Sequence, residues 1–290
     1  MKKFAVFTAI VGNYDTILQP HVIHEDFDYY IFSNDIPERE KGIWNIRPIE
    51  YYNPDPVKIA RWVKTHPQIL LPEYEASLWL DANIQINTNE IYKRCIELYT
   101  DTNIKLSSIP HPEHDCIYDE LFDMLINHYE HESVILGWGH ILRKENYPRH
   151  IGTVESGLLY RKHHDHQVEN FNRLWWKSIE EHSRRDQLSF CYAAWKERLS
   201  ITPFFTDGTN VRDNSSVNYI QHHNSSGRYI NWSGKEAWLC RFAERNTDKI
   251  KDIKNLYYWI YGRVFYNEWA FFLGQLFRLS DVLNRRCRHS

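Results

Sequence analysis

Residues 77–84 read Ser-Leu-Trp-Leu-Asp-Ala-Asn-Ile, an apolar run that stops at Asp81 with Asn83 two places on. On an extended segment, side chains two apart share a face, so Asp81 and Asn83 present two oxygens to one point. A hard divalent cation carrying a diphosphate needs such ligands. The same residues also suit an ordinary strand end, where Asp and Asn favour turns. Late in the chain, Tyr219-Ile220-Gln221-His222-His223-Asn224 offers a neutral imidazole, from His222 or His223, to complete a metal shell begun by Asp81 and Asn83. With 16 histidines in the chain, such a match also arises by chance. His111, His114 and Cys116 have a looser metal-like spacing, and without a second ligand pair they read as structural.

Other stretches bear on the nucleotide and the sugar. Thr8-Ala9-Ile10-Val11-Gly12-Asn13-Tyr14-Asp15 closes an apolar run, and Gly12 lets the backbone pass close to a ligand. A base and ribose fit beside Thr8, Ala9, Gly12 and Asp15, with Tyr14 to stack on them. The stretch is neither a Walker loop nor G-x-G-x-x-G, so no glycine cradle holds phosphate. Positive charge must come from elsewhere. Arg61 and Lys64 lie one turn apart on an expected helix and so share a face, although a solvated helix surface has the same spacing. Glu155-Ser156-Gly157 precedes a short apolar run, and Asp186-Gln187 opens a later helix. Asp186 suits an N-cap, and equally a group that binds sugar hydroxyls at the ligand edge of a sheet.

The elements that must position these residues alternate. Strands are expected at 4–11, 29–33, 78–80, 157–160 and 201–205. Helices are expected at 55–66, 91–99, 120–129, 171–182 and 186–195. This order argues for an α/β fold with a mostly parallel sheet covered on both faces, whose ligands sit beyond the carboxyl ends of the strands.

Composition bounds the function classes. At 290 residues, 42% hydrophobic and 25% charged, the chain suits one large globular domain with a helical appendage. A net charge of −3 gives no support to nucleic-acid binding. Five scattered cysteines form no C-x-x-C pair and leave one over, which fits reduced thiols and a cytoplasmic setting. The apolar run after Met1-Lys2-Lys3 breaks at Gly12 to Asp15, too early for a secretory signal. In that setting the Asn-x-Ser sequons at Asn214, Asn224 and Asn231 carry no meaning.

The final segment differs. Ten aromatic residues fall between Tyr257 and Phe277, and four Arg against one Asp follow from Arg278 onward. Arg263 and Glu268 interrupt the apolar character, so no run of about twenty residues spans a bilayer. Residues 255–290 suit an aromatic-basic helix lying on the inner face of an anionic membrane, or one packed on the main domain or a second subunit as a homo-oligomer contact.

The strings TAIVGNYD, DPVKIARWVKTHP, SLWLDANI, HPEHDCIYDE, NYPRHIGTVESGLLYRKH and WWKSIEEHSRRDQLSF run in order from Thr8 to Phe190. Together they resemble the glycosyltransferase-like domain family, once filed as a domain of unknown function, of plant mucilage proteins and bacterial surface-polysaccharide loci. The order is also remotely similar to the glycogenin-type transferases of family 8. There an Asp-x-Asp strand end, an Asn-Ser-Gly strand, an Asp-Gln helix start and a late His-x-x-Gly-x-x-Lys stretch correspond to Asp81/Asn83, Glu155-Ser156-Gly157, Asp186-Gln187, and His222 or His223 with Gly227 and Lys235. The resemblance implies a GT-A-like fold over residues 1–250, followed by the C-terminal segment 251–290. It implies a nucleoside-diphosphate sugar donor, a Mn²⁺ or Mg²⁺ ion, and a glycan or lipid-linked saccharide acceptor of capsule or lipopolysaccharide type. Asp81, Asn83 and a late His would hold the metal, with Arg61, Lys64 and Lys235 near the phosphates. Asp186 would bind donor hydroxyls, Gln187 would lie near the anomeric carbon, and Glu155 would meet the acceptor. Kinship with the glycogenin type implies retention. Asn83 departs from the usual second Asp, and His114 from an expected Arg.

Overall fold

A computed structural model describes residues 3–127, 129–223 and Arg245. Lys235 and residues 255–290 lie outside them, as does the expected boundary near residue 250. In chain order the described elements are β1 (Phe4–Ala9), β2 (Phe27–Phe32), β3 (Glu40–Lys41), β4 (Trp44–Arg47), α1 (Pro56–Thr65), α2 (Pro67–Leu70), β5 (Ala76–Leu80) and β6 (Ile84–Ile86). There follow α3 (Glu90–Thr100), β7 (Leu106–Pro110), α4 (Ile117–Ile126), α5 (Glu132–Lys144), β8 (Val154–Lys162), α6 (His166–Glu181), α7 (Asp186–Lys196), β9 (Ile201–Pro203) and β10 (Val217–Tyr219).

Eight strands form one sheet in the order β3-β4-β2-β1-β5-β8-β7-β9, and β6 pairs with β10 separately. The α/β expectation holds, but the sheet is mixed rather than mostly parallel. β1 is parallel to β2 and β5, whereas β8 runs antiparallel to both β5 and β7. The central strands are near-continuous apolar runs because both faces are covered. In β1, Phe4 and Val6 face a core shared with Ile91, Tyr92, Cys95 and Leu98 of α3. Ala5 and Phe7 face the other core, with Val63 of α1, Phe171 and Trp175 of α6, and Phe190 of α7.

The helices carry their own start and stop signals. Asp55 caps α1 by accepting the Val57 N–H, Pro56 opens it, and Pro67 ends it after His66. Asp165 caps α6 through the N–H groups of Gln167 and Val168. Asp186 is the first residue of α7 rather than its cap, which is Arg185 and makes no side-chain cap bond. By contacts the described chain divides into two compact units. The sheet and its flanking helices belong to Met1–Asp115 with Gly152–Ser226, and α4 and α5 belong to Cys116–Ile151.

Candidate active site

Because β1, β2 and β5 are parallel, Ala9, Phe32 and Leu80 finish on one edge of the sheet. Leu158 pairs with Leu80, so the opposed β8 brings its start to the same edge. Between β7 and β8 the register jumps from Ser108↔Leu159 to Ile109↔Glu155, a bulge that releases residues 156–158 from β7. Ser108 Oγ donates to the Glu155 and Leu158 carbonyls and so satisfies the broken ladder. The bulge re-aims Ser156 and Gly157 into the edge.

Asp81 stands just past β5, its N–H donating to the Gly157 carbonyl at 2.7 Å. Oδ1 accepts from Trp79 Nε1 at 2.8 Å and Lys64 Nζ at 3.4 Å, with Arg61 Nη1 at 4.0 Å. Oδ2 accepts no hydrogen bond from the described residues, and the side chain is 28% exposed. Arg61 and Lys64 do share a face of α1, and it is not a solvated one. Lys64 is fully buried, and its Nζ donates to Asp186 Oδ2 at 2.7 Å and Ser156 Oγ at 3.0 Å. Arg61 Nε lies 3.2 Å from Asp186 Oδ1, an ion pair without hydrogen-bond alignment. Ser156 Oγ donates to Asp186 Oδ2 at 2.8 Å. Burial pushes the Asp186 carboxyl up, but Arg61, Lys64 and the Ser156 hydroxyl outweigh it and hold the group well below the usual carboxylate range. Burial likewise lowers the Arg61 pKa, and Asp186 and Asp81 reverse that, leaving it raised.

The geometry inferred for Asp81 and Asn83 is corrected here. Ile84 N–H donates to the Asp81 carbonyl at 2.9 Å, so 81–84 is a turn and the two side chains do not share a strand face. Buried Asn83 uses its Nδ2 on the Ile220 carbonyl at 2.8 Å, while Ile220 N–H donates to the Asn83 carbonyl at 2.9 Å. This double tie holds the segment after β10 against the turn. Two residues further, His222 Nδ1 meets Asp15 Oδ1 at 2.9 Å, and its ring packs on Tyr14 at 4.7 Å between centroids. Tyr14 therefore packs, its ring tilted by 52°, on a side chain of the protein where a base was expected. His223 is exposed. Among the described residues Asp81, Asp15 and His222 are not gathered into a three-ligand cluster.

Glu155 is taken up by Arg212, whose Nη1 lies 2.7 Å from both carboxylate oxygens. Gln187, half-buried in the first turn of α7, has no side-chain partner among the described residues. Gly12, at φ +72°, donates its N–H to Asp35 Oδ2 at 2.6 Å, and a Cβ there would touch Pro56 at 3.4 Å. An apolar slot lined by Ile10, Ile31, Trp44 and Leu80 opens beside Asp81 and Ala82. Thr8 also lines it, and its buried Oγ1 lacks a partner among the described residues.

Sequence reasoning passed over Trp79, Arg212 and Arg161, and gave Ser156 no role of its own within Glu155-Ser156-Gly157. Arg161, fully buried on β8, donates to Asn172 Oδ1 at 2.8 Å and to the Lys64 carbonyl at 2.5 Å. Burial alone brings its pKa down to about 9. Nothing in an unaligned sequence separates it from a surface arginine. His111 Nδ1 accepts the N–H groups of Glu113 and His114. Burial and the neighbouring His114 lower its pKa to about 4.

A family model described as TOD1/MUCI70, glycosyltransferase-like domain, matches residues 1–210. No curated protein sequence matches the chain. Among solved structures it is similar to the apo form of the WbbM bifunctional glycosyltransferase, at 9% identity and a TM-score of 0.39, over 69% of this chain and 38% of that one. It is also similar to a glycosyltransferase involved in the glycosylation of the major capsid of PBCV-1, at 12% identity and a TM-score of 0.32, over 55% of this chain and 67% of that one. This chain thus spans 38% of the first of them. No helix among the described residues is long and apolar enough to cross a membrane.

Proposed function

The chain belongs to the TOD1/MUCI70 glycosyltransferase-like domain family and is a glycosyltransferase with a GT-A-like mixed sheet, and from that premise we propose a UDP-sugar as donor. The acceptor in this reading is a hydroxyl of a bacterial surface glycan of capsule or lipopolysaccharide type. A divalent cation assists, and the anomeric configuration is retained.

One observation carries the reading. At the ligand edge Arg61 and Lys64 are matched by Asp81 and Asp186, so the fixed charges cancel. A diphosphate brings about two negative charges, and a site of zero net charge holds it only with an added cation. Asp81 offers an open carboxylate oxygen as a first ligand for a hard ion; the Asn83 side-chain carbonyl and the second nitrogen of His222, which are not gathered around it here, would have to move in to complete the shell. Bound there, Mn²⁺ or Mg²⁺ would act as a Lewis acid toward the leaving diphosphate.

The remaining roles fall to groups of the chain itself. The Thr8 hydroxyl beside Asp81 suits a contact to the nucleoside, while the slot around Ile10 and Trp44 is too narrow to hold one without opening. Lys64 and Ser156 fix the Asp186 carboxylate, and the unpartnered Gln187 amide beside it suits the anomeric region. The state of the carboxylates supports retention. An inverting enzyme needs a base near neutrality. Asp186 is held far below that range, and Glu155 is clamped by Arg212.

Asp81→Ala tests the reading. Metal-dependent UDP binding should vanish in calorimetry, and transfer or donor hydrolysis should fall ~100-fold. Full-rate transfer by this variant with metal present would sink it. Glycan binding by the wild type without any metal-dependent UDP binding would point instead to a non-catalytic module.

A further inference from the structure

We propose that Cys116, Asp119 and His150 form a zinc-type metal site, separate from the ligand edge and independent of the transferase reading. One ligand atom from each lies within 4.8 Å of the others. The three come from two places in the sequence: the start of α4, with Cys116 at its N-cap position and Asp119 in its first turn, and the loop that follows α5. Their meeting is built into the chain path. Gly152 N–H donates to the Asp115 carbonyl at 2.8 Å, so the residues on either side of 116–151 are clasped together. Tyr118 Oη donates to the Tyr147 carbonyl at 3.0 Å, and the Arg149 guanidinium lies 5.7 Å from the Tyr118 ring centroid. The loop is thereby fixed on α4 on both sides of its turn. His150 takes the left-handed backbone at φ 51°, a conformation that non-glycine residues adopt at a cost and that is over-represented at functional sites.

The chemistry of the set selects the ion. A thiolate, an imidazole and a carboxylate mix soft, borderline and hard donors, which suits Zn²⁺ and excludes Mg²⁺ or Ca²⁺ as the preferred occupant. Ligands on a tetrahedral Zn²⁺ sit ~2.0–2.3 Å from the metal and hence ~3.3–3.8 Å from one another. The observed spread closes to that by a shift of about 1 Å, which an exposed His150 can make. Cys116 is buried, Asp119 half-buried and His150 exposed, so the ion has an entry path and a fourth position for water. Binding couples thiol deprotonation to pinning of the loop, a structural role.

The test uses the full chain, stripped with a chelator and titrated with Co²⁺ as a spectroscopic stand-in. One equivalent should produce a thiolate-to-Co²⁺ charge-transfer band. Cys116→Ser should abolish it, His150→Ala should weaken Co²⁺ binding at least 10-fold, and Asp81→Asn should leave it unchanged. Zn²⁺ should displace the band and raise the thermal midpoint of the wild type but not of His150→Ala. Absence of the band at stoichiometric Co²⁺ would overturn the site, leaving a hydrogen-bonded Cys-Asp-His group. A band of full strength in His150→Ala would overturn it as well. His150 is exposed, so that variant keeps the test open if Cys116→Ser fails to fold.

Discussion

At the scale of single residues, the site is a balance between desolvation and pairing. Lys64 and Asp186 are both removed from water, and removing one partner of such a pair costs ~3–5 kcal/mol because the other charge is stranded. The depressed pKa of Asp186 gives the sign of an acid response. A folded carboxyl titrating below its unfolded value contributes stability that is complete above the unfolded pKa of ~3.9 and is lost as pH falls toward the folded value. Wild-type unfolding free energy, read from urea midpoints, should therefore drop from about pH 4 downward, with up to ~1.4 kcal/mol per pH unit due to this one group. Asp186→Asn should be less stable at neutral pH and show a shallower acid slope. Equal slopes would contradict the assignment. The pairing of Asp186 with Lys64, 122 positions apart, is invisible in the sequence. The residue types at both ends were legible as functional candidates, while their mutual neutralisation came only from the fold.

At the scale of elements, β8 is the piece that matters most. Its bulge gives Ser156 to the ion-pair cluster and sets Gly157 against the open side of Asp81. A Cβ on Gly157 would stand 3.2 Å from Ile84 Cδ1 and 3.3 Å from Asp81 Oδ2. Gly157→Ala should thus displace the carboxylate, lowering kcat/KM ~10-fold while costing only ~1 kcal/mol of stability. Adding Ile84→Val should relieve the packing but not the carboxylate, so stability recovers and activity does not. Recovery of both would show that the glycine serves packing alone. The strands that carry the site were legible because each is a dense apolar run bounded by polar residues, as in β1 and β5. β7 was not, because Leu-Ser-Ser-Ile-Pro hides two buried serines, of which Ser108 serves the bulge through its hydroxyl. β6 and β10 are three residues each, too short to show a period, and α5 contains Gly137 and Gly139. The sheet was expected to be mostly parallel because strand direction is set by connections, and the reversal at β8 leaves no local mark.

At the scale of the whole molecule, length and composition indicated a globular domain, the order of elements an α/β fold, and the quoted strings a glycosyltransferase-like family, which the family match over residues 1–210 bears out. Net charge described the molecule poorly, since −3 says nothing of how charges are arranged. At the ligand edge the fixed charges are largely paired: Asp186 with Lys64 and Arg61, and Glu155 with Arg212. Such an edge projects almost no field into solvent. Without a bound ion, an anionic donor is not drawn in from a distance, and capture begins only at contact. A divalent cation bound at such an edge is then the source of any steering. The association rate of a UDP-sugar, followed by stopped flow at saturating divalent cation, should slow severalfold between 20 and 200 mM salt as the Debye length falls from ~20 to ~7 Å, and a change of less than about twofold would contradict an ion at the edge.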